Sequence, residues 1–137
     1  MAGFILLNFF KTKEKGYLIQ EYLPIKSDFR VMVVGDKVIG AIERFVIKGD
    51  FRSNTSLGAK VAKAKTDEEM INTALSASQA LQFETAGVDM TKFKGKYYVL
   101  EVNHTPQWQN VKKFNKINPA KHIIDYAIEK YEKNKKV

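Results

Sequence analysis

The chain contains no cysteine. That absence excludes disulfide staples, thiolate nucleophiles and cysteine-ligated zinc, and it fits a reducing cytoplasm, the compartment expected here. Also missing is any apolar run near the ~20 residues of a membrane-spanning helix, so no membrane partner is expected. The apolar opening from Gly3 to Phe10 lacks the basic leader and small-residue cleavage site of a signal peptide. No internal repeat and no linker divide the 137 residues, which suits one domain with a modest core. Acidic side chains are in deficit, 15 against 23 basic ones, for a formal charge of +8. An anionic partner suits that balance, yet much of the excess sits in Lys11-Thr12-Lys13-Glu14-Lys15 and Lys133-Asn134-Lys135-Lys136, which read as solvated clusters. Basic residues interleaved with exposed aromatics are lacking, so nucleic acid is not an expected partner. What is present, 45% apolar and 12% aromatic residues, describes a folded chain.

Periodicity then gives the order of elements. Tyr17 to Leu23 reads as a strand stopped by Pro24. Phe29 to Val34 and Lys37 to Ile47 read as a hairpin turning at Gly35-Asp36. Uninterrupted pairing from that turn sets Met32 against Ile39 and Arg30 against Ala41. Asp28, Arg30 and Glu43 then share one face, and Phe29, Val31, Val33, Val38 and Ile42 the other. By the same count Arg44 falls on the apolar face, unless the register slips. Residues 48–64 have little periodicity and read as a long ligand-facing loop. Thr66-Asp67-Glu68-Glu69 is a capping box opening a helix with Met70, Ile71, Ala74, Leu75, Ser78 and Leu81 on its core stripe. Asn118-Pro119 starts a last helix expected to bury Ile123, Ile124, Ala127, Ile128 and Tyr131. The fold class that follows is α+β, a mostly antiparallel sheet with helices packed on one face.

One constellation carries chemistry. Lys96 to Asn103 is an aromatic and β-branched strand, so Glu101 and Asn103 share a face. An antiparallel return from Ala86 to Met90 through residues 91–95 brings Asp89 alongside Glu101. Two carboxylates and an amide oxygen at a sheet surface suit Mg²⁺, a hard cation that completes its octahedron with water and phosphate oxygens. Taken alone, solvated edge residues are the commoner explanation of such a trio.

The trio has company upstream. Gln20-Glu21-Tyr22, Asp28-Phe29-Arg30, Val34-Gly35-Asp36, Ile42-Glu43-Arg44, Phe51-Arg52-Ser53-Asn54, Ala86-Gly87-Val88-Asp89 and Leu100-Glu101-Val102-Asn103 occur in that order. The collinear series resembles the C-terminal lobe of the ATP-grasp superfamily, nearest its RimK-like branch of glutamate ligases. The resemblance implies a single C-terminal lobe over residues 1–137, without the first lobe or the N-terminal domain of complete members, and with 1–16 as a remnant of the preceding segment. It further implies ATP and two Mg²⁺ ions (Mn²⁺ as a substitute), with Asp89, Glu101 and Asn103 as metal ligands and Glu101 bridging. Glu21 and Tyr22 would lie where main-chain groups meet the adenine edge, the Tyr22 ring itself serving strand packing. Asp28 would lie near the ribose, or alternatively bond Arg30. Arg52, Ser53 and Asn54 would meet the phosphates, Arg52 and Asn54 with catalytic roles.

The implied activity is a carboxylate–amine ligase working through an acyl phosphate and adding glutamate to a carboxylate acceptor, such as a protein C terminus. A non-catalytic nucleotide- or partner-binding lobe is the alternative, and the isolated chain is expected to be inactive alone. No lysine-bearing first lobe or glycine-rich flap can be found, because the glycines are scattered singly. An uncovered apolar start at Phe4 to Phe10 would favour self-association or a missing half. His104, which could also touch substrate or phosphate, and His122 read as exposed. Trp108 either shapes an acceptor pocket or caps the core, and by the resemblance Arg44 and the Trp108 loop would face the acceptor.

Overall fold

A computed structural model of the chain describes the backbone of residues 3–9, 16–46 and 60–135, with side chains for 21–46 and 60–135. Strands β1 (Gly3–Phe9) and β2 (Gly16–Tyr22) form a two-stranded antiparallel sheet, with Tyr22 opposite Gly3 and Glu21 opposite Phe4. The apolar start thus forms strand β1 from Gly3 to Phe9. A second sheet holds β3 (Ser27–Val34), β4 (Lys37–Phe45), β5 (Val61–Lys63), β6 (Thr85–Phe93) and β7 (Lys96–Asn103), in the order β5-β4-β3-β6-β7. Every pairing in it is antiparallel. The helices are α1 (Glu68–Ala80), α2 (Gln109–Asn115) and α3 (Pro119–Lys135). The α+β class and antiparallel sheet agree with the sequence. β5 occupies part of what read as a loop, while residues 47–59 lie outside the described ones.

The sheet packs on both sides because its central strands are apolar on both. Val31, Val33, Ala41, Ala86, Val88 and Met90 form one buried layer with Met70 and Ala74 of α1. On the opposite face Met32 and Ile42 meet Val111 of α2, joined by Trp108, Phe114 and Ile123. Trp108 thus caps this second core. Fully burying a side chain the size of valine or methionine stabilises by roughly 1.5–3 kcal/mol, so β3, contributing to both layers, is the anchor of the domain.

Local signals explain the boundaries, with four corrections. The turn at Gly35-Asp36 places Gly35 at φ +61, a conformation that suits glycine. The second hairpin turns at Lys94-Gly95, both with positive φ, so β6 runs on to Phe93 and the connection is shorter than read from sequence. The cap of α1 is Asp67 rather than Thr66: its Oδ1 accepts the Met70 N–H at 2.8 Å. Asp67 also accepts from Tyr97 Oη at 2.9 Å and Lys92 Nζ at 3.2 Å, a cross-tie to the sheet that threonine could not make. Leu81 lies past the helix end and is half exposed. In α3, Pro119 opens the helix as expected and Ile123 packs inward, but Ile124, Ala127, Ile128 and Tyr131 are exposed. An amphipathic stripe records that a face prefers an apolar environment, not that the same chain supplies one. No described helix is long and apolar enough to cross a membrane.

Candidate functional site

Two β-bulges assemble the polar part of the sheet face that carries α2. In the first hairpin Val33 pairs with Val38 but Met32 pairs with Gly40, leaving Ile39 extra. Beyond it every residue of β4 is displaced by one, which sets Arg44 opposite Asp28 and Glu43 opposite Phe29. The uninterrupted register from sequence is therefore wrong past Met32. Arg44 joins Asp28 and Arg30, while Glu43 moves to the other face and accepts the Ser27 hydroxyl at 2.5 Å. Ile42 moves from the expected apolar set to the Met32 layer. In the second hairpin Met90 pairs with Val99 but Asp89 pairs with Glu101, leaving Leu100 extra. Without that bulge Glu101 would stand opposite Val88, on the core side.

The resulting face runs Asp28, Arg30 and Met32 on β3, Arg44 on β4, Gly87, Asp89 and Thr91 on β6, and Glu101 and Asn103 on β7. Arg30 pairs directly with Asp89 across β3 and β6, and Asn103 with Gly87 across β6 and β7. Arg30 donates Nε–H to Asp89 Oδ1 and Nη2–H to Oδ2, both at 2.8 Å. Arg44 donates Nε–H to Asp28 Oδ1 at 2.7 Å and Nη2–H to Asp28 Oδ2 at 2.8 Å. The same Nη2 lies 2.9 Å from Asp89 Oδ2. Asp28 is 4% and Asp89 7% exposed, so both carboxylates sit in this pairing rather than in water. Planar guanidinium forks match carboxylates in this way. Burial pulls the Arg44 pKa down, but hydrogen bonds and the charges of Asp28 and Asp89 outweigh it and raise it, so Arg44 stays a cation.

Around this core the donors are more open. Glu101 is exposed and has no hydrogen-bond or ion-pair partner among the described residues. Asn103 Oδ1 accepts the Thr105 N–H at 2.9 Å and its hydroxyl at 3.3 Å, which fixes the turn after β7. That turn closes on Gly87, where a Cβ would stand 2.6 Å from Pro106 Cβ; only glycine admits the approach. His104 is exposed, its ring centroid 5.5 Å from that of Phe83, and His122 is exposed on α3.

The structure thus brings Asp89, Glu101 and Asn103 together on one face, with Asp28 bonded to Arg44 rather than Arg30. Glu21 and Tyr22 lie at the end of β2 in the other sheet, and Tyr22 is 39% exposed. Arg52, Ser53 and Asn54 lie outside the described residues. Among those described, no three His, Cys, Asp or Glu side chains converge as a metal cluster. A set of two carboxylates and one amide suits a cation that keeps water and phosphate oxygens in its shell, with Glu101 the oxygen donor not already engaged. In donor chemistry the residues fit Mg²⁺. The sequence points to Arg30 only as an alternative partner of Asp28 and to Arg44 only as facing the acceptor, not to either as part of the metal face. Alternation from Asp28 already indicated Arg30, whereas Arg44 needed the bulge.

A sheet of this order, covered by helices and carrying an acidic–basic face at one end, has the architecture of an ATP-grasp lobe. The chain belongs to the RimK-like ATP-grasp domain family, whose model matches residues 6–127. It is 35% identical over 127 residues to a probable alpha-L-glutamate ligase of Legionella pneumophila, covering 91% of this chain and 42% of that protein. It is 36% identical over 129 residues to the tetrahydromethanopterin:alpha-L-glutamate ligase of Methanocaldococcus jannaschii, covering 90% of this chain and 44% of that one. The chain therefore spans less than half the length of these relatives. The fold also matches the ATP-grasp ligase PsnB, solved with a precursor variant, Mg and ADP, at a TM-score of 0.62 and 19% identity, covering 80% of this chain and 34% of PsnB.

Proposed function

We propose that this chain supplies the nucleotide- and metal-binding face of an ATP-dependent carboxylate–amine ligase, one that adds glutamate to a protein or peptide carboxylate. The observation that carries the reading is the register: Asp89 opposite Glu101 and Asn103 opposite Gly87, beside Arg30 and Arg44 on one sheet face. Membership of the RimK-like family supports the reaction class, and the glutamate ligases among the relatives support glutamate as the amine.

In that reaction an acceptor carboxylate oxygen attacks the γ-phosphorus of ATP, the bond to the β-phosphate oxygen breaks, and ADP leaves. The amine nitrogen then attacks the acyl-phosphate carbonyl, inorganic phosphate departs with the bonding pair, and the nitrogen loses a proton to form the amide. Bound Mg²⁺ would supply neutralisation of the triphosphate oxygens, easing the approach of an anionic nucleophile. Asp89, Glu101 and Asn103 are assigned to hold it. Arg44, oriented by Asp28 and Asp89, adds a fixed positive charge at the same face, where charge spread over phosphoryl oxygens gains most. A ribose contact by Asp28 would be made alongside its pairing with Arg44. Arg52, Ser53 and Asn54 are assigned to the phosphates, and the main chain at Glu21 and Tyr22 to the adenine edge.

The test is calorimetric titration of the chain with a non-hydrolysable ATP analogue, with and without Mg²⁺. Binding that needs Mg²⁺ and falls at least about tenfold in Glu101→Gln is expected. Equal binding by the variant, or binding indifferent to Mg²⁺, refutes the assignment.

A further inference from the structure

The two arginines at Asp89 are not equivalent. Arg44 is anchored at its far side by both oxygens of Asp28, and its side chain is 8% exposed. Arg30 spends its hydrogen bonds on Asp89, and its side chain is 18% exposed, so water already reaches it. Counting acceptor directions shows what this does to Asp89. Each carboxylate oxygen offers two lone pairs. Oδ2 receives both Arg30 and Arg44, and Oδ1 receives Arg30, which leaves a single direction open on the group. The strand neighbour Glu101, exposed and without a partner among the described residues, has both oxygens available.

We propose that Arg30 is a placeholder cation: its guanidinium holds Asp89 in position on the site face and leaves that carboxylate when a divalent cation binds between Asp89 and Glu101. This rests on the metal assignment made above for those residues. A hard cation approaches a carboxylate oxygen to about 2.0–2.1 Å, and beside Arg30 and Arg44 only one acceptor direction of Asp89 is left for it. Its two charges beside a guanidinium on the same carboxylate also repel. Arg44, tied down by Asp28, has no comparable route away, whereas Arg30 has solvent on its exposed side. The exchange keeps the mostly buried Asp89 neutralised in both states, since an unpaired charge there would be strongly destabilising.

The experiment follows arginine Nε–H signals by ¹⁵N NMR while the intact 137-residue chain is titrated with Mg²⁺ alone, assigning Arg30 by its loss in Arg30→Lys. The Arg30 Nε–H, held by its bond to Asp89, is expected to lose exchange protection as Mg²⁺ binds, while the Arg44 Nε–H keeps it. Arg30→Lys retains the charge but not the fork, and is expected to bind Mn²⁺ about tenfold more tightly than wild type, read as free Mn²⁺ by electron paramagnetic resonance. A purely structural arginine would leave that affinity unchanged. If Mg²⁺ binds in a Glu101-dependent way while Arg30 stays protected, or Arg30→Lys binds Mn²⁺ as wild type does, the placeholder role is refuted and the metal assignment stands. If neither chain binds either ion, both are refuted.

Discussion

Replacing Arg44 with methionine removes a guanidinium from the middle of a buried network while keeping most of its aliphatic stem, so the variant reports on charge pairing rather than on a cavity. Three close contacts vanish together: 2.7 and 2.8 Å to Asp28 and 2.9 Å to Asp89. Removing one partner from a buried ion pair costs about 3–5 kcal/mol, because a mostly buried carboxylate loses its compensation. Asp89 keeps the two bonds from Arg30, which argues for the low end, about 3 kcal/mol. For a domain of this size that corresponds to a fall of roughly 10–12 °C in Tm. Equilibrium urea unfolding followed by circular dichroism and Trp108 fluorescence measures it, with Asp89→Asn and the double variant completing a cycle. Because the two side chains touch, a coupling of about 1–3 kcal/mol is expected, and the double variant should lose less than the sum of the single losses. A single-variant loss below about 1 kcal/mol with unchanged m, or additivity within about 0.3 kcal/mol, would refute the view that this face is held by charge pairing.

Two further substitutions test neighbouring claims. Gly87→Ala should cost about 1–3 kcal/mol, since its Cβ would stand 2.6 Å from Pro106 Cβ and force the turn after β7 outward. Thermal unfolding reads the loss, and amide exchange at Thr105 should rise as its bond to Asn103 loosens. Asp67→Asn keeps a capping oxygen but removes a titrating one. The Met70 N–H, then Tyr97 and Lys92, hold the Asp67 pKa below its ordinary value, so its contribution is present above the unfolded value of 3.8 and is lost as pH falls through the folded one. The urea midpoint of wild type should therefore drop more steeply below about pH 4 than that of Asp67→Asn. Parallel pH profiles would refute the linkage.

Much of this fold was legible because strong local chemistry marks it. Gly35-Asp36 fixed the first hairpin, Asn118-Pro119 the start of α3, and apolar alternation the strands. The short helix α2 was missed, since seven residues carry too little periodicity to stand out. Thr66 outranked Asp67 as a cap in sequence because a capping box is a pattern of spacing. The competing bonds from Tyr97 and Lys92 come from residues 25 and 30 positions away.

The polar site was half legible for a more general reason. Side-chain alternation has a period of two, so a single inserted residue exchanges the faces of everything beyond it. Ile39 and Leu100 are those insertions; Gly40 stands beside Ile39 as the one local signal, and Leu100 has neither glycine nor proline next to it. Counted from the turn without its bulge, the second hairpin sets Leu100 opposite Asp89 and Glu101 opposite Val88. Direct counting fails for Arg44 in the same way. The expectation that Asp89 meets Glu101, drawn from an antiparallel return through residues 91–95, nevertheless holds, because the bulge at Leu100 supplies the one-residue shift that the pairing needs. Each bulge brings one charged residue, Arg44 or Glu101, onto the face that Asp28, Arg30 and Asp89 already occupy. Deleting either extra residue should therefore leave the charge on the site face: Val38 and Gly40, or Val99 and Glu101, would become chain neighbours opposite Val33 and Met32, or Met90 and Asp89, so the pairings survive and only the local bend of the bulge is lost.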